Sequence, residues 1–210
     1  MQVISEITAS INQNFKTFYL NIIMTLVAAM EAKDPYTQGH SLRVSEYAVK
    51  IAHAMGMSKS DLEEIEISGI LHDVGKLGIS DLILTKPGPL TKDEFKIIKT
   101  HPSIGMKILE NISLSKEIRE GILYHHLRCD LKGYPQDSDI SELPRFARII
   151  GAADALDAMT SHRSYKDAMN CAEVIDEFNK HSGKQFCPEV AKVVLDLLEN
   201  KIIIPLNECS

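Results

Sequence analysis

Apolar residues recur along nearly the whole chain at intervals of three and four, the spacing of one face of an α-helix. Val44, Ala48, Ile51, Ala52 and Met55 share one such face. Ser58 opens the next predicted helix, with Asp61 three positions on, and Leu62, Ile65 and Ile70 supply its apolar stripe. Thr91 and Glu94 form a capping-box pattern ahead of Phe95 and Ile98. Ile118 and Ile122 lead a helix into the adjacent pair His125 and His126. Pro144 is expected at the first position of a helix carrying Phe146, Ile149, Ile150 and Ala153. Pro188 plays the same part for Val190, Val193, Val194, Leu197 and Leu198. Strand-like alternation is scarce, and loops are marked by Lys86-Pro87-Gly88-Pro89 and by the polar stretch from Arg128 to Glu142. The pattern predicts an all-α fold.

The chain of 210 residues suits one domain with a short arm. Residues 1–20 show no strong core pattern until Phe15 and Phe18, and read as an N-terminal helical extension or linker. Residues 21–203 form the expected domain and 204–210 a tail. At 44% hydrophobic residues, the chain can bury a sizeable core. A net charge of −6 predicts no broad basic face for duplex nucleic acid. Cys129, Cys171, Cys187 and Cys209 form no CxxC pair and are expected as free thiols in a reducing compartment. The longest apolar stretch, Leu20 to Met30, falls short of the ~20 residues needed to span a bilayer. No basic-then-apolar leader opens the sequence. A soluble, cytoplasmic protein without membrane contact is the expectation. The apolar face of residues 15–30 fits a two-fold helical contact, hence a homodimer, or ordinary packing against the bundle.

The candidate chemistry is concentrated in histidines and aspartates. Neutral imidazole and ionised carboxylate are ligands for divalent metals. His72-Asp73 stands at a predicted helix end, where both side chains can reach one site. Alone, the dipeptide is equally a surface histidine beside a capping aspartate. Its surroundings, Gly69-Ile-Leu-His-Asp-Val-Gly-Lys76, are apolar on both sides. Lys76 falls on the same face as His72 and Asp73 if the helix continues. Gly75 and Gly78 would allow close approach of backbone or ligand. His125 and His126 end a helix, where they suit either a metal or the helix dipole. His101 precedes Pro102, which biases it towards an extended conformation at a helix break. Asp154 lies in a mostly apolar helix, where a carboxylate is costly unless paired or on a metal. Asp157, one turn later, is the expected partner that orients a ligand. His53 and His181 lack such context.

Taken in order, these residues resemble the HD superfamily of metal-dependent phosphohydrolases. The resemblance sharpens to its HD-GYP branch, the cyclic di-GMP phosphodiesterases of bacteria. It rests on Asp34-Pro-Tyr-Thr-Gln-Gly-His40, His72-Asp-Val-Gly-Lys-Leu-Gly-Ile79, Lys86-Pro-Gly-Pro-Leu-Thr91 and Lys99-Thr-His-Pro-Ser-Ile-Gly105. Further along come His125-His126, Gly133-Tyr-Pro135, Phe146-Ala-Arg-Ile-Ile150, Ala153-Asp154, Asp157-Ala-Met-Thr160 and Arg163-Ser-Tyr-Lys166. The match covers roughly residues 22–200.

The resemblance implies an HD-type helical bundle around a central dinuclear metal site. His40, His72, Asp73 and Asp154 would hold one ion, and Asp73, His101, His125 and His126 the other, with Asp73 shared. Iron or manganese is the usual metal. Some members hold a third ion through a glutamate four residues before the first histidine, where this chain has Tyr36. The implied activity is hydrolysis of cyclic di-GMP to pGpG and/or GMP. Related cyclic dinucleotides are also candidates, and the alternative is a silent module that binds the nucleotide or a partner. Lys76 would hold the phosphate or protonate the leaving oxygen. Arg163 and Lys166 would grip phosphates, or form a solvated helix end. Gly133-Tyr134-Pro135 would be an exposed loop able to dock a diguanylate cyclase (GGDEF) domain. The chain departs from the family at Leu127-Arg-Cys-Asp-Leu131, where a glutamate, an aromatic residue and a glycine are missing. The departure concerns loop shape rather than metal ligands.

Overall fold

The computed structural model describes residues 2–33, 38–136, 140–161 and 168–204, with side chains from Thr17 onward except Tyr19. The helices are α1 (Gln2–Lys33), α2 (His40–Ala54), α3 (Lys59–Leu71), α4 (Asp81–Leu84), α5 (Lys92–Ile98) and α6 (His101–Ile108). They continue with α7 (Lys116–Tyr124), α8 (Arg145–Thr160), α9 (Cys171–His181) and α10 (Pro188–Glu199), and a 3-10 turn, Val74–Gly78, follows α3. The described residues hold no strand, only two isolated bridges, Leu127 to Gly133 and Ser182 to Phe186. No described helix is long and apolar enough to cross a membrane.

Local chemistry sets the helix starts. Ser58 and Asp61 exchange reciprocal hydrogen bonds of 3.2 Å at the head of α3. Thr91 with Glu94 and Asn170 with Glu173 do the same for α5 and α9. Each such cap stabilises its helix by ~1 kcal/mol.

The core lies where α2, α3, α7 and α8 meet. Val44, Ala48 and Ile51 of α2 are fully buried with Ile65 and Leu71 of α3, Ile122 of α7, and Ile149, Ile150 and Leu156 of α8. From α9 and α10, Phe178, Val190 and Val194 close one side, and Phe178 stacks on Phe186 with centroids 4.2 Å apart. The inner end of α1 joins through Ile23, Val27 and Met30, whereas Phe18, 64% exposed, stays outside.

α5 has no buried residue, and Phe95 is 46% exposed, since this seven-residue helix lies on the surface rather than in the bundle. One expectation fails. His101 is not extended but is the first residue of α6. Pro102 follows at the helix start, where a missing N–H loses no intrahelical bond. The ring of His101 is anchored by its own backbone neighbourhood, which outweighs the steric bias before proline.

Helix α6 packs closely on the 3-10 turn, and the closeness depends on Gly75. A Cβ there would lie 1.8 Å from the carbonyl oxygen of His101. Gly75→Ala is therefore expected to lower stability by about 3 kcal/mol, read as a fall in the urea midpoint; an unchanged midpoint would contradict this packing.

Candidate metal centre

Two helix ends and two helix starts deliver four of the histidines. His72 is the C-cap of α3, His125 is the C-cap of α7, His40 opens α2 and His101 opens α6. Three of these rings are pinned in the same way. Nδ1 of His72 donates to the carbonyl of Gly69 at 2.7 Å, that of His101 to Ile98 at 2.9 Å, and that of His125 to Ile122 at 2.7 Å. A carbonyl only accepts, so each ring carries its proton on Nδ1 and aims Nε2 inward.

The Nε2 atoms surround the carboxylate of Asp73. His101 Nε2 lies 3.1 Å from Asp73 Oδ1, His72 Nε2 lies 3.4 Å from Oδ2, and His40 Nε2 lies 3.7 Å from Oδ2. His101 Nε2 and His125 Nε2 are 3.3 Å apart. His40 Nε2 is also 3.3 Å from Asp154 Oδ1. His126 packs beside His125, with ring centroids 4.1 Å apart.

This arrangement calls for positive charge. Burial, then the neighbouring histidines, push His125 well below the usual imidazole range, and burial lowers His126 to about 4. Both are neutral near pH 7 and present lone pairs. His72 Nε2 is buried without a hydrogen-bond partner among the described residues. Bare nitrogens thus face carboxylate oxygens and one another, which a cation between them would relieve.

Among the described residues, Asp73, His101, His125 and His126 bring one ligand atom each within 4.8 Å of one another, as do His40, His72 and Asp73. The donor set fits a divalent transition metal in each group, with Asp73 common to both. Asp154, partly buried at the His40 end, completes the picture on the α8 side.

Electrostatics hold the carboxylates ionised. Burial pushes Asp73 up, but the Lys76 ammonium, with His72 and His101, outweighs it and keeps the carboxyl well below its usual range. Asp154 is likewise lowered against its burial by His40. Lys76 Nζ donates to Asp73 Oδ2 at 2.6 Å, so the 3-10 turn keeps it on the face expected for a continued helix.

Asp157 orients His40. Its Oδ2 accepts from His40 Nδ1 at 2.7 Å, and Arg43 grips both its oxygens at 2.6 and 3.1 Å. Burial would lower His40, but hydrogen bonds to Asp154 and Asp157 raise it to about 9. Sequence reasoning missed Arg43, although its place one turn after His40 on α2 was a readable signal.

The Gly133-Tyr134-Pro135 loop is half-buried, not exposed. Tyr134 turns inward and packs on His126, with ring centroids 4.6 Å apart, while its N–H donates to the His126 carbonyl at 3.3 Å. Gly133 permits this at φ +105, since a Cβ would meet that same carbonyl at 2.2 Å. Gly78 faces Ile104 rather than open space. His53 is exposed, and His181 pairs with Glu177 at 3.3 Å, both away from the cluster. Cys129 and Cys187 are thiols outside any disulfide. Tyr36, His162, Arg163, Lys166 and Cys209 lie outside the described residues.

Two cavities adjoin the cluster. One of about 450 Å³ is lined by His126, Asp154, Arg128, Met159 and Glu177. The other, about 680 Å³, is lined by Lys76, Lys86, Pro89, Phe95 and Ile98, so the surface position of α5 makes one of its walls.

Residues 25–190 match the family model described as HD domain. A cyclic di-GMP phosphodiesterase of Thermotoga maritima is 39% identical over 188 residues, covering 87% of this chain and 50% of that protein. A 3'3'-cGAMP-specific phosphodiesterase 2 of Vibrio cholerae is 33% identical over 185 residues, 87% of this chain and 35% of that protein. The chain thus spans half or less of the length of these curated relatives. The crystal structure of the HD domain of L. monocytogenes phosphodiesterase PgpH aligns with a TM-score of 0.58 at 21% identity, over 84% of this chain and 96% of that one. This last likeness is one of fold. The histidine–aspartate order along the sequence, the helical bundle and the matched span lead to one assignment: the chain belongs to the HD domain family, a phosphohydrolase family.

Proposed function

We propose that this chain is the catalytic domain of a metal-dependent phosphodiesterase that hydrolyses cyclic di-GMP, or a closely related cyclic dinucleotide, to pGpG and/or GMP. The observation that carries the reading is Asp73, a buried carboxylate faced from two sides by inward-aimed Nε2 atoms. The similarity to a cyclic di-GMP phosphodiesterase and to a 3'3'-cGAMP-specific phosphodiesterase supports the substrate class.

His40, His72, Asp73 and Asp154 would hold one ion, and Asp73, His101, His125 and His126 the second, iron or manganese in either place. Such ions, when bound, supply Lewis acidity towards a phosphodiester and lower the pKa of water. The chain's own residues do the rest. Nδ1 hydrogen bonds to backbone carbonyls aim the Nε2 atoms of His72, His101 and His125 inward and prevent the rings from rotating. Lys76 sits at the rim of one cavity with its ammonium on Asp73. It can transfer that contact to a non-bridging phosphate oxygen as negative charge builds there. Tyr134 packs on the ring of His126 and helps to fix its position. Arg163 and Lys166 are assigned to phosphate binding through the family resemblance.

Protein prepared without oxygen and supplied with ferrous or manganous ion is expected to carry two ions per chain and to convert cyclic di-GMP, followed by chromatography. Lys76→Ala should lose roughly 10²–10³-fold in kcat with its metal content intact, whereas Asp73→Ala should lose metal and activity together. Two bound ions without turnover of cyclic di-GMP or 3'3'-cGAMP would instead assign the chain as a binding module.

Asp157→Asn removes the negative charge that orients His40. Metal affinity is expected to fall about 10–100-fold with unchanged stoichiometry, measured by calorimetric titration of chelator-treated protein with manganese. Wild-type affinity in this variant would contradict the orienting role.

A further inference from the structure

The last turn of α1 touches two separate segments that adjoin the metal cluster, through residues that neither the sequence motifs nor the family resemblance singled out. Lys33 Nζ donates to the carbonyl of Leu77 at 2.9 Å and to that of Ile79, and it pairs with Asp81 Oδ1 at 3.2 Å. These acceptors take up its ammonium donors. The two carbonyls stand at the C-terminal end of the 3-10 turn, where helical carbonyls lack intrahelical partners and carry partial negative charge. That turn presents Lys76 to Asp73.

Glu31, two residues earlier, acts on the other segment. Its Oε2 accepts from the backbone N–H of Gly39 at 3.0 Å. Gly39 is the N-cap of α2, lies at φ +70 and has no side chain with which to cap the helix itself. The carboxylate of another helix takes up the Gly39 N–H, as the N3 carboxylate of a capping box would, directly before His40. The second oxygen of Glu31 is buried and has no partner among the described residues. A carboxylate kept there despite that cost is held for its position.

Residues two apart on a helix point about 200° from each other. The end of α1 is therefore a wedge, with Glu31 gripping the start of α2 on one side and Lys33 gripping the end of the 3-10 turn on the other. We infer that Glu31 and Lys33 are positioning residues, and that α1 sets the placement of His40 relative to Lys76 across the cluster. A rotation or shift of α1 acts on both segments at once. The consequence for turnover rests on the phosphodiesterase reading; the mechanical coupling does not.

The test compares the full chain with Lys33→Met, Lys33→Arg and Glu31→Gln. Amide exchange is followed by NMR, metal content by elemental analysis, and kcat and KM on cyclic di-GMP. In Lys33→Met the amides of Lys76 and Ile79 should exchange roughly ten-fold faster or more, while those of the α8 core, such as Ile150, keep their wild-type rate. The variant should lose kcat rather than raise KM, with both ions retained, and Lys33→Arg should recover most of the loss. Glu31→Gln should speed exchange at Gly39 and leave Ile79 alone. Unchanged exchange at Ile79 in Lys33→Met, or a rise shared equally by Ile150, would overturn the inference. Should the wild type hydrolyse no cyclic dinucleotide, the phosphodiesterase reading falls, and the exchange pattern alone decides the coupling.

Discussion

The structure depends on one constraint: a buried carboxylate, Asp73, has to be compensated from several directions at once. Removing an ion from water costs several kcal/mol even after relaxation. Lys76 supplies one positive charge directly. His125 and His126, held neutral by burial, supply none, and yet the fold aims Nε2 atoms at the carboxylate and at each other. A packing of this kind is poor as a stabilising device and good as a preformed cation cradle. The cost is met by the bundle around it, where the apolar faces of α2, α3, α7 and α8 close with little exposed surface.

Helix termini turn that constraint into geometry. A ring whose Nδ1–H bonds to the carbonyl three residues back cannot swing, because that carbonyl belongs to the helix end itself. His72 and His125 use this device at the C-termini of α3 and α7, and His101 borrows the end of α5. His40, at a helix start, has no such carbonyl and relies on Asp157, held in turn by Arg43. Ligand placement is thereby tied to helix placement. The same tie explains why the end of α1, by holding the start of α2 and the 3-10 turn, reaches into the cluster without touching it.

Much of this was legible in the sequence. Ser58 with Asp61 and Thr91 with Glu94 announced their helices because capping is a local interaction. The convergence of His40, His72, Asp73, His101, His125 and His126 was implied by the family resemblance, and Asp157 was placed by its turn spacing from Asp154. The less legible features are tertiary. The capping pattern ahead of Phe95 located α5 but gave no sign that this helix lies on the surface. His101 was assigned an extended backbone from its proline neighbour, and the helix start with its ring hydrogen bond prevailed. Tyr134 was expected to face outward, but a glycine-permitted turn folds it onto His126. Lys33 lies 44 residues from the carbonyl of Leu77, and no local pattern announces such a contact.

The central claim is that Asp73 stands between two cation positions. Anomalous scattering from crystals grown with manganese tests it most directly. The account predicts two peaks, one on the His40–His72–Asp154 side of the carboxylate and one on the His101–His125–His126 side. A single peak, or none within reach of Asp73, would contradict it.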